Sequence, residues 1–295
     1  MSGEGFTGMP DTYNITRGVA AAGLICVLLA AAALAAAGCH RPEMLGERDP
    51  LPEGCMAPAV IAWPAAPAGP ATRTVALGES VRGQPLAVEI FGTGPRPVLV
   101  LGGIHGNEPE GAEVARRLAA LLRQDCSVAG GCAVAVMAAA NPDGLAVRTR
   151  VNARGVDINR NFPAKNWQAG AATPRYASGP CPGSEPETQT LMRAVEMLRP
   201  GLILSLHAMA RGPCNNYDGP GGKDVADRMA ACNGYRVIAN IGYPTPGSMG
   251  NWAGIDRGIP MVTLELPAGQ PGPACWEQNR EALLAAIRGA AVPAQ

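Results

Sequence analysis

Four short apolar runs, each followed by a segment with helical spacing, constrain this chain more than any other feature. They are Pro97-Val98-Leu99-Val100-Leu101, Ala133-Val134-Ala135-Val136-Met137, Leu202-Ile203-Leu204-Ser205-Leu206 and Pro260-Met261-Val262-Thr263-Leu264-Glu265-Leu266. A strand that is apolar on both sides needs cover on both faces, which interleaved helices supply. The helical segments are Glu108 to Leu122, Ser184 to Leu198, Lys223 to Ala231 and Trp276 to Ile287. In the first, Val114, Leu118, Leu121 and Leu122 recur at helical spacing. The second opens with Ser184-Glu185-Pro186-Glu187, the pattern of a capping box with proline in the first turn. Val75 to Leu77 and Leu86 to Phe91 read as a hairpin, and Arg236 to Ile241 as a further strand. The pattern predicts an α/β fold: a mixed, mostly parallel twisted sheet with helices on both faces.

The sheet-forming pattern runs from Thr72 to about Ala291, a span of about 220 residues that suits one domain. Hydrophobic residues make up 47% and charged residues 16%, a globular balance. With 24 basic and 24 acidic side chains and no long basic run, nucleic acid is not an expected partner.

The N-terminal part reads differently. Gly18 to Gly38 is almost wholly apolar, preceded by Arg17 and followed by Cys39, the layout of an export signal. Ala36-Ala37-Gly38-Cys39 resembles a bacterial lipoprotein signal, in which Cys39 carries the lipid. A retained membrane helix is the alternative, since about 20 apolar residues span a bilayer. Either places the rest of the chain outside the cytoplasm, tethered to a membrane. From His40 to Pro70 the chain is rich in Pro, Ala and Gly and reads as a tether. The expected organisation is a signal segment at 1–38, a tether at 39–71 and a catalytic domain at 72–292.

Setting aside Cys26 and Cys39, the cysteines are Cys55, Cys126, Cys132, Cys181, Cys214, Cys232 and Cys275. In an exported chain they suggest disulfides, with an odd one left over. Cys126 and Cys132, flanking a glycine-containing turn, are the pair most easily closed. No CxxC occurs, which argues against cysteine-ligated zinc.

Of the three histidines, two stand at strand ends. His105 lies in Gly102-Gly103-Ile104-His105-Gly106-Asn107-Glu108, and His207 follows Leu206. Ligands in open α/β sheets gather at the carboxyl ends of strands. His105, Glu108 and His207 would supply the three protein ligands of a catalytic zinc. Glu265, a charged residue inside an apolar strand, is either salt-bridged to an arginine or a general base with a raised pKa. The spacing is His-x-x-Glu rather than HExxH, so the glutamate is a ligand and the base comes from elsewhere.

His105-Gly-Asn-Glu108, Gly155-Val-Asp-Ile-Asn159-Arg160-Asn161-Phe-Pro, Ser205-Leu-His207 and Thr263-Leu-Glu265 follow one another in this order. The ordered set resembles the zinc carboxypeptidase superfamily from about Val98 to Pro267. Asn141-Pro142-Asp143-Gly144 and Gly242-Tyr243-Pro244-Thr245-Pro246-Gly247-Ser248 are most similar to the bacterial murein tripeptide amidases, which split the γ-D-glutamyl-diaminopimelate bond. The resemblance implies one Zn²⁺ held by His105, Glu108 and His207, and Glu265 as the base that activates water. It implies oxyanion stabilisation by Arg150, with Arg148 as the rival, and a grip by Asn159 and Arg160 on the substrate's terminal carboxylate. Tyr243 matches the family's mobile active-site tyrosine, with simple packing as the other reading. Asn141 to Gly144 reads as a turn, and Cys214 to Pro220 either lines the cleft or is a plain loop. The pocket floor is expected among Ser248, Met249, Gly250 and Asn251, which holds no acid, so no strict preference for C-terminal Lys or Arg is expected. An ordinary metallocarboxypeptidase, an aspartoacylase-like deacylase and a non-enzymatic wall-binding lipoprotein are the alternatives.

Overall fold

A computed structural model describes residues 72–170 and 173–290. The expected signal segment, the tether with Cys39 and Cys55, and the last residues of the expected domain lie outside these. The chain begins with strands β1 (Thr72–Glu79) and β2 (Pro85–Phe91), which pair antiparallel as the expected hairpin. Strand β3 (Val98–Gly102) leads to helix α1 (Pro109–Gln124), then strand β4 (Val134–Met137) and helix α2 (Pro142–Val147). Helix α3 (Pro186–Leu198) precedes strands β5 (Leu202–Met209) and β6 (Cys214–Asp218). Helix α4 (Gly222–Asn233), strands β7 (Arg236–Ile238) and β8 (Met261–Pro267), and helix α5 (Gly272–Ala290) complete the order.

One eight-stranded sheet runs β1-β2-β4-β3-β5-β8-β6-β7. Its centre, β4-β3-β5-β8, is parallel; β1, β2 and β6 introduce the antiparallel pairs. The apolar runs divide their side chains between two cores, as strand alternation requires. Val98, Val100, Leu202, Leu204, Leu206, Val262 and Leu264 join α1, α4 and α5 on one face. Leu99, Leu101, Ile203 and Met261 join α3 and Trp252 on the other. Burying each such side chain is worth about 1.5–3 kcal/mol, which is why both faces had to be covered.

Toward the carboxyl ends of β5 and β8, the second face turns from apolar to polar. Ile203 gives way to Ser205 and His207, and Met261 to Thr263 and Glu265. Polar side chains therefore gather at one end of a core face, at the carboxyl ends of β5 and β8.

Three local expectations are corrected. The capping box does not form: Glu185, not Ser184, is the N-cap of α3 and makes no side-chain cap bond. Glu187 is drawn away by tertiary donors, accepting from Val81 N at 2.9 Å and Asn152 Nδ2 at 2.9 Å. Cys126 and Cys132 are both free, Cys126 exposed and Cys132 buried, so the expected pair does not form. Cys214, Cys232 and Cys275 are free as well, whereas Cys181 is disulfide-bonded. The segment from Asn141 is more than a turn. Asn141 caps α2 by accepting from Gly144 N at 2.9 Å, while its own backbone N donates to Gly103 O at 2.9 Å.

Candidate active site

The loop after β3 carries His105 into the site under tight steric control. Gly103 takes a positive φ of 65°, and a side chain at Gly106 would run into the backbone of Gly144 in α2. At Gly111 an added Cβ would meet the carbonyl of Leu206, so the missing side chain lets α1 lie directly against β5. That contact draws the start of α1 toward His207. Glu108 occupies the N-cap position of α1 but makes no capping bond; Pro109 follows at the first helical position, and the glutamate side chain is left for the site.

Three donor sets converge. His105 Nδ1 lies 3.0 Å from Glu108 Oε1 and 3.0 Å from His207 Nδ1, and His207 Nδ1 lies 2.9 Å from Glu108 Oε2. Among the described residues this is the cluster able to hold a metal ion, its ligand atoms within 4.8 Å of one another. The far ring nitrogens are occupied: His105 Nε2 meets Asp157 Oδ1 at 3.1 Å and His207 Nε2 meets Ser205 Oγ at 3.0 Å. Donation from His105 Nε2–H to the Asp157 carboxylate leaves His105 Nδ1 with its lone pair, and the Ser205 hydroxyl can accept from His207 Nε2–H in the same way, the arrangement metal-binding histidines use. Two neutral imidazoles and a carboxylate fit Zn²⁺ in type and number. Burial acts to raise the Glu108 pKa, but His105 and His207 hold it well below the usual carboxylate range, ready to bind a cation.

Glu265 stands beside this group on β8, in register with His207 on β5. It is only 6% exposed and has no hydrogen-bond or ion-pair partner among the described residues. Burial pushes its pKa up to about 7, with His207 opposing and Glu108 reinforcing. The salt-bridge reading of this carboxylate is thereby removed.

Asp157, which sequence reasoning left without a role, organises the opposite wall. Fully buried, it accepts from His105, from Arg150 Nε at 2.8 Å and from Asn159 N at 2.9 Å. Burial would raise its pKa, yet His105, Arg150 and Arg160 hold it far below the usual range. Arg150 also reaches Glu108 Oε1 at 3.2 Å. Arg148 caps α2 at a φ of 53° and is not among the cleft-lining residues, so of the two candidates the structure brings only Arg150 to the site.

Asn159 and Arg160 line the same cleft, which has a volume of about 1140 Å³. Asn159 Oδ1 accepts from Met249 N at 2.9 Å, and the Arg160 guanidinium lies 5.3 Å from the Tyr176 ring centre. Asn161, in the same motif, serves structure: its Nδ2 donates to Ser178 O, Cys181 O and Ser184 Oγ. Tyr243 lines the cleft and packs 6.3 Å from Tyr176, ring to ring. Tyr176 itself was missed. Its ring also faces Arg150 at 5.2 Å, placing one aromatic surface between both site arginines and Tyr243.

The expected pocket floor needs correcting. Ser248, Gly250 and Asn251 line the cleft, whereas Met249 is fully buried behind it. Cys214 to Asp218 is a strand, and two of its residues, Asn216 and Asp218, line the cleft. The pocket therefore does contain an acid. Burial alone raises Asp218 to about 6.

Comparison with known proteins agrees with this geometry. The family model described as zinc carboxypeptidase matches residues 67–272. Murein peptide amidase A of Escherichia coli (strain K12) is 33% identical over 184 residues, covering 57% of this chain and 70% of that protein. The protein of the same name from Vibrio campbellii is 33% identical over 208 residues, covering 64% and 77%. The crystal structure of murein-tripeptide amidase MpaA from Escherichia coli O157 superposes with a TM-score of 0.59 at 27% identity, covering 74% of this chain and 97% of that one. Carboxypeptidase A from Helicoverpa armigera, at 19% identity and a TM-score of 0.64, shares the fold over 76% of this chain and 69% of its own. The chain belongs to the zinc carboxypeptidase family and is a zinc-dependent hydrolase of the carboxypeptidase and amidase kind.

Proposed function

We propose that this protein hydrolyses an amide next to a free terminal carboxylate in murein peptides, at the γ-D-glutamyl-diaminopimelate bond. One observation carries the reading: His105, Glu108 and His207 converge while Glu265, Arg150, Asn159 and Arg160 line the same cleft. The match to murein peptide amidases supports the choice of cell-wall peptide.

His105 Nδ1, His207 Nδ1 and a Glu108 oxygen would hold the metal. A Zn²⁺ there supplies Lewis acidity, polarising a carbonyl and bringing the ionisation of water near neutrality. Asn159 and Arg160 grip the terminal carboxylate; a planar guanidinium suits two oxygens at once. Glu265 takes a proton from the attacking water, holds it on its carboxylate and delivers it to the departing amine as the C–N bond breaks. Arg150 faces the charge that develops on the carbonyl oxygen, and Asp157 keeps its guanidinium in place. Tyr243 closes the side of the cleft over the bound residue.

The sequence of residues 1–71 supports export and membrane tethering, through a lipid on Cys39 or an uncleaved N-terminal segment, with the catalytic domain at 72–292. That compartment holds the proposed substrate.

The test is to incubate zinc-loaded protein with L-Ala-γ-D-Glu-diaminopimelate beside an ordinary C-terminal peptide and identify products by mass. Release of diaminopimelate is expected. Cleavage of the ordinary peptide alone would overturn the murein assignment in favour of a general carboxypeptidase.

A further inference from the structure

We propose that Asn152 is a positioning residue for the wall of the cleft that carries Arg150 and Asp157, which it holds in place by binding two buried carboxylates, Glu185 and Glu187. The proposal rests on the hydrolase reading of the cleft and deepens it, adding a residue that touches neither metal nor substrate.

The Asn152 amide has two donors and two acceptor positions, and the fold uses all four. Its Nδ2 donates to Glu185 Oε2 at 2.8 Å and to Glu187 Oε2 at 2.9 Å. Its Oδ1 accepts from Arg154 N and from Val156 N, both at 3.0 Å. Backbone N–H groups on one side and carboxylates on the other fix the orientation of the amide. Asn152 is only 4% exposed, so a partner lost here is not replaced by solvent.

The two halves of the amide act differently. The oxygen closes residues 152–156 into a turn, together with the backbone bonds from Asn152 N to Val156 O and from Gly155 N to Asn152 O. Gly155, at a φ of 79°, lets the chain reverse. Arg150 before the turn then meets Asp157 after it, Nε to Oδ2 at 2.8 Å. The nitrogen fastens the turn to the start of α3, and that anchor is itself tied down. Glu187 Oε1 accepts from Val81 N beside the β1–β2 hairpin, and the Glu185 N–H donates to Asn161 Oδ1.

Asp157 in turn accepts from His105 Nε2 and from the Asn159 N–H. One buried amide thus links the scaffold to the arginine that faces the reacting carbonyl, to the support of a metal ligand and to the carboxylate grip. The chemistry also explains why this position is asparagine. Aspartate has the same shape and would keep the turn, but it offers no donor and sets a third carboxylate against Glu185 and Glu187.

The test is Asn152→Asp, alone and combined with Glu187→Gln, which restores a donor–acceptor pair with the roles exchanged. In Asn152→Asp, kcat on the γ-D-glutamyl-diaminopimelate substrate should fall by about 10- to 100-fold, the effect of a displacement near 1 Å, while KM stays within about threefold. The double variant should regain at least about tenfold in kcat over Asn152→Asp. Amide hydrogen exchange over residues 150–157 gives a reading independent of turnover: protection should fall in Asn152→Asp and return in the double variant. Should Asn152→Asp not fold, Asn152→Ser removes the carboxylate contacts without adding charge and should show the same loss of kcat. A folded variant with native kcat, even at a lower Tm, overturns the positioning role and leaves the hydrolase reading intact, as does a change confined to KM. Absence of recovery in the double variant overturns the pairing with Glu187. No cleavage by the native zinc-loaded protein would instead sink the hydrolase reading, and the exchange measurement then decides by itself whether Asn152 holds the wall.

Discussion

His207 and Glu265 are register partners on adjacent parallel strands, β5 and β8, so their side chains rise from the same face side by side. Neighbouring strands lie about 4.8 Å apart, which puts an unpaired carboxylate next to a ligand set without making it a ligand. The division of labour proposed above, metal binding by His207 and proton transfer by Glu265, rests on that register. A one-residue slip would turn Glu265 to the opposite face, among Val262 and Leu264.

Asp157 should govern metal affinity without touching the metal. It accepts from His105 and orients Arg150. Asp157→Asn is expected to weaken zinc binding by about 10- to 100-fold, measured by competition with a chelating dye. A chelator should stop hydrolysis in the native enzyme, and added zinc should restore it. Unchanged affinity in Asp157→Asn would remove its orienting role.

Tyr176 should matter through its ring rather than its hydroxyl. Its face meets Arg150 and Arg160 at 5.2 and 5.3 Å. Tyr176→Phe keeps that surface, whereas Tyr176→Leu should raise KM by about 3- to 10-fold, the range of a cation–π contact. Equal KM values for the two variants would count against the stacking account.

Arg160→Lys replaces a planar fork with a point charge. The loss in kcat/KM should be about 10- to 100-fold on a substrate with a free terminal carboxylate. A substrate amidated at that end should be equally poor for the native enzyme and indifferent to the substitution. Continued sensitivity of the amidated substrate to Arg160→Lys would show that the arginine grips something else.

Asp218 also leaves a mark on stability. Burial raises it to about 6 from an ordinary value near 3.8, so the folded chain holds the proton more tightly than the unfolded chain. That contribution is fully present below about pH 4 and is lost as pH rises through 6. Relative to Asp218→Asn, the native protein should lose on the order of 3 kcal/mol across this window. Urea unfolding at pH 4 and pH 7 measures it, and parallel behaviour of the two proteins would contradict a raised pKa.

The glycines of the site loop should be intolerant of a methyl group. Gly106→Ala would press on the backbone of Gly144, and Gly111→Ala on the carbonyl of Leu206. Each is expected to destabilise by about 1–3 kcal/mol, seen as a lower Tm.

The apolar runs announced the parallel centre of the sheet because burial on both faces leaves a continuous hydrophobic signature. His105, Glu108, His207 and Glu265 were legible because polar groups at the ends of such runs are conspicuous. Strand β6 was not. Cys214-Asn215-Asn216-Tyr217-Asp218 lacks alternation, and it lies between Pro213 and Gly219-Pro220, so it reads as a loop. It is a strand because β8 offers its free edge, a tertiary fact, and the acid in the pocket was hidden with it. Tyr176 sits in an irregular segment without periodicity, and only the folded chain places its ring on two arginines. The capping box failed for a related reason: Asn152 and Val81, distant in sequence, claim the Glu187 carboxylate.

The central claim is that His105, Glu108 and His207 hold one zinc while Glu265 moves the proton. The most direct measurement is single-turnover hydrolysis by Glu265→Gln, with its zinc content determined alongside. The account predicts one zinc per chain, as in the native protein, with the rate of the chemical step reduced by about 10²- to 10⁴-fold. A zinc-loaded Glu265→Gln that hydrolyses substrate at the native rate would contradict it.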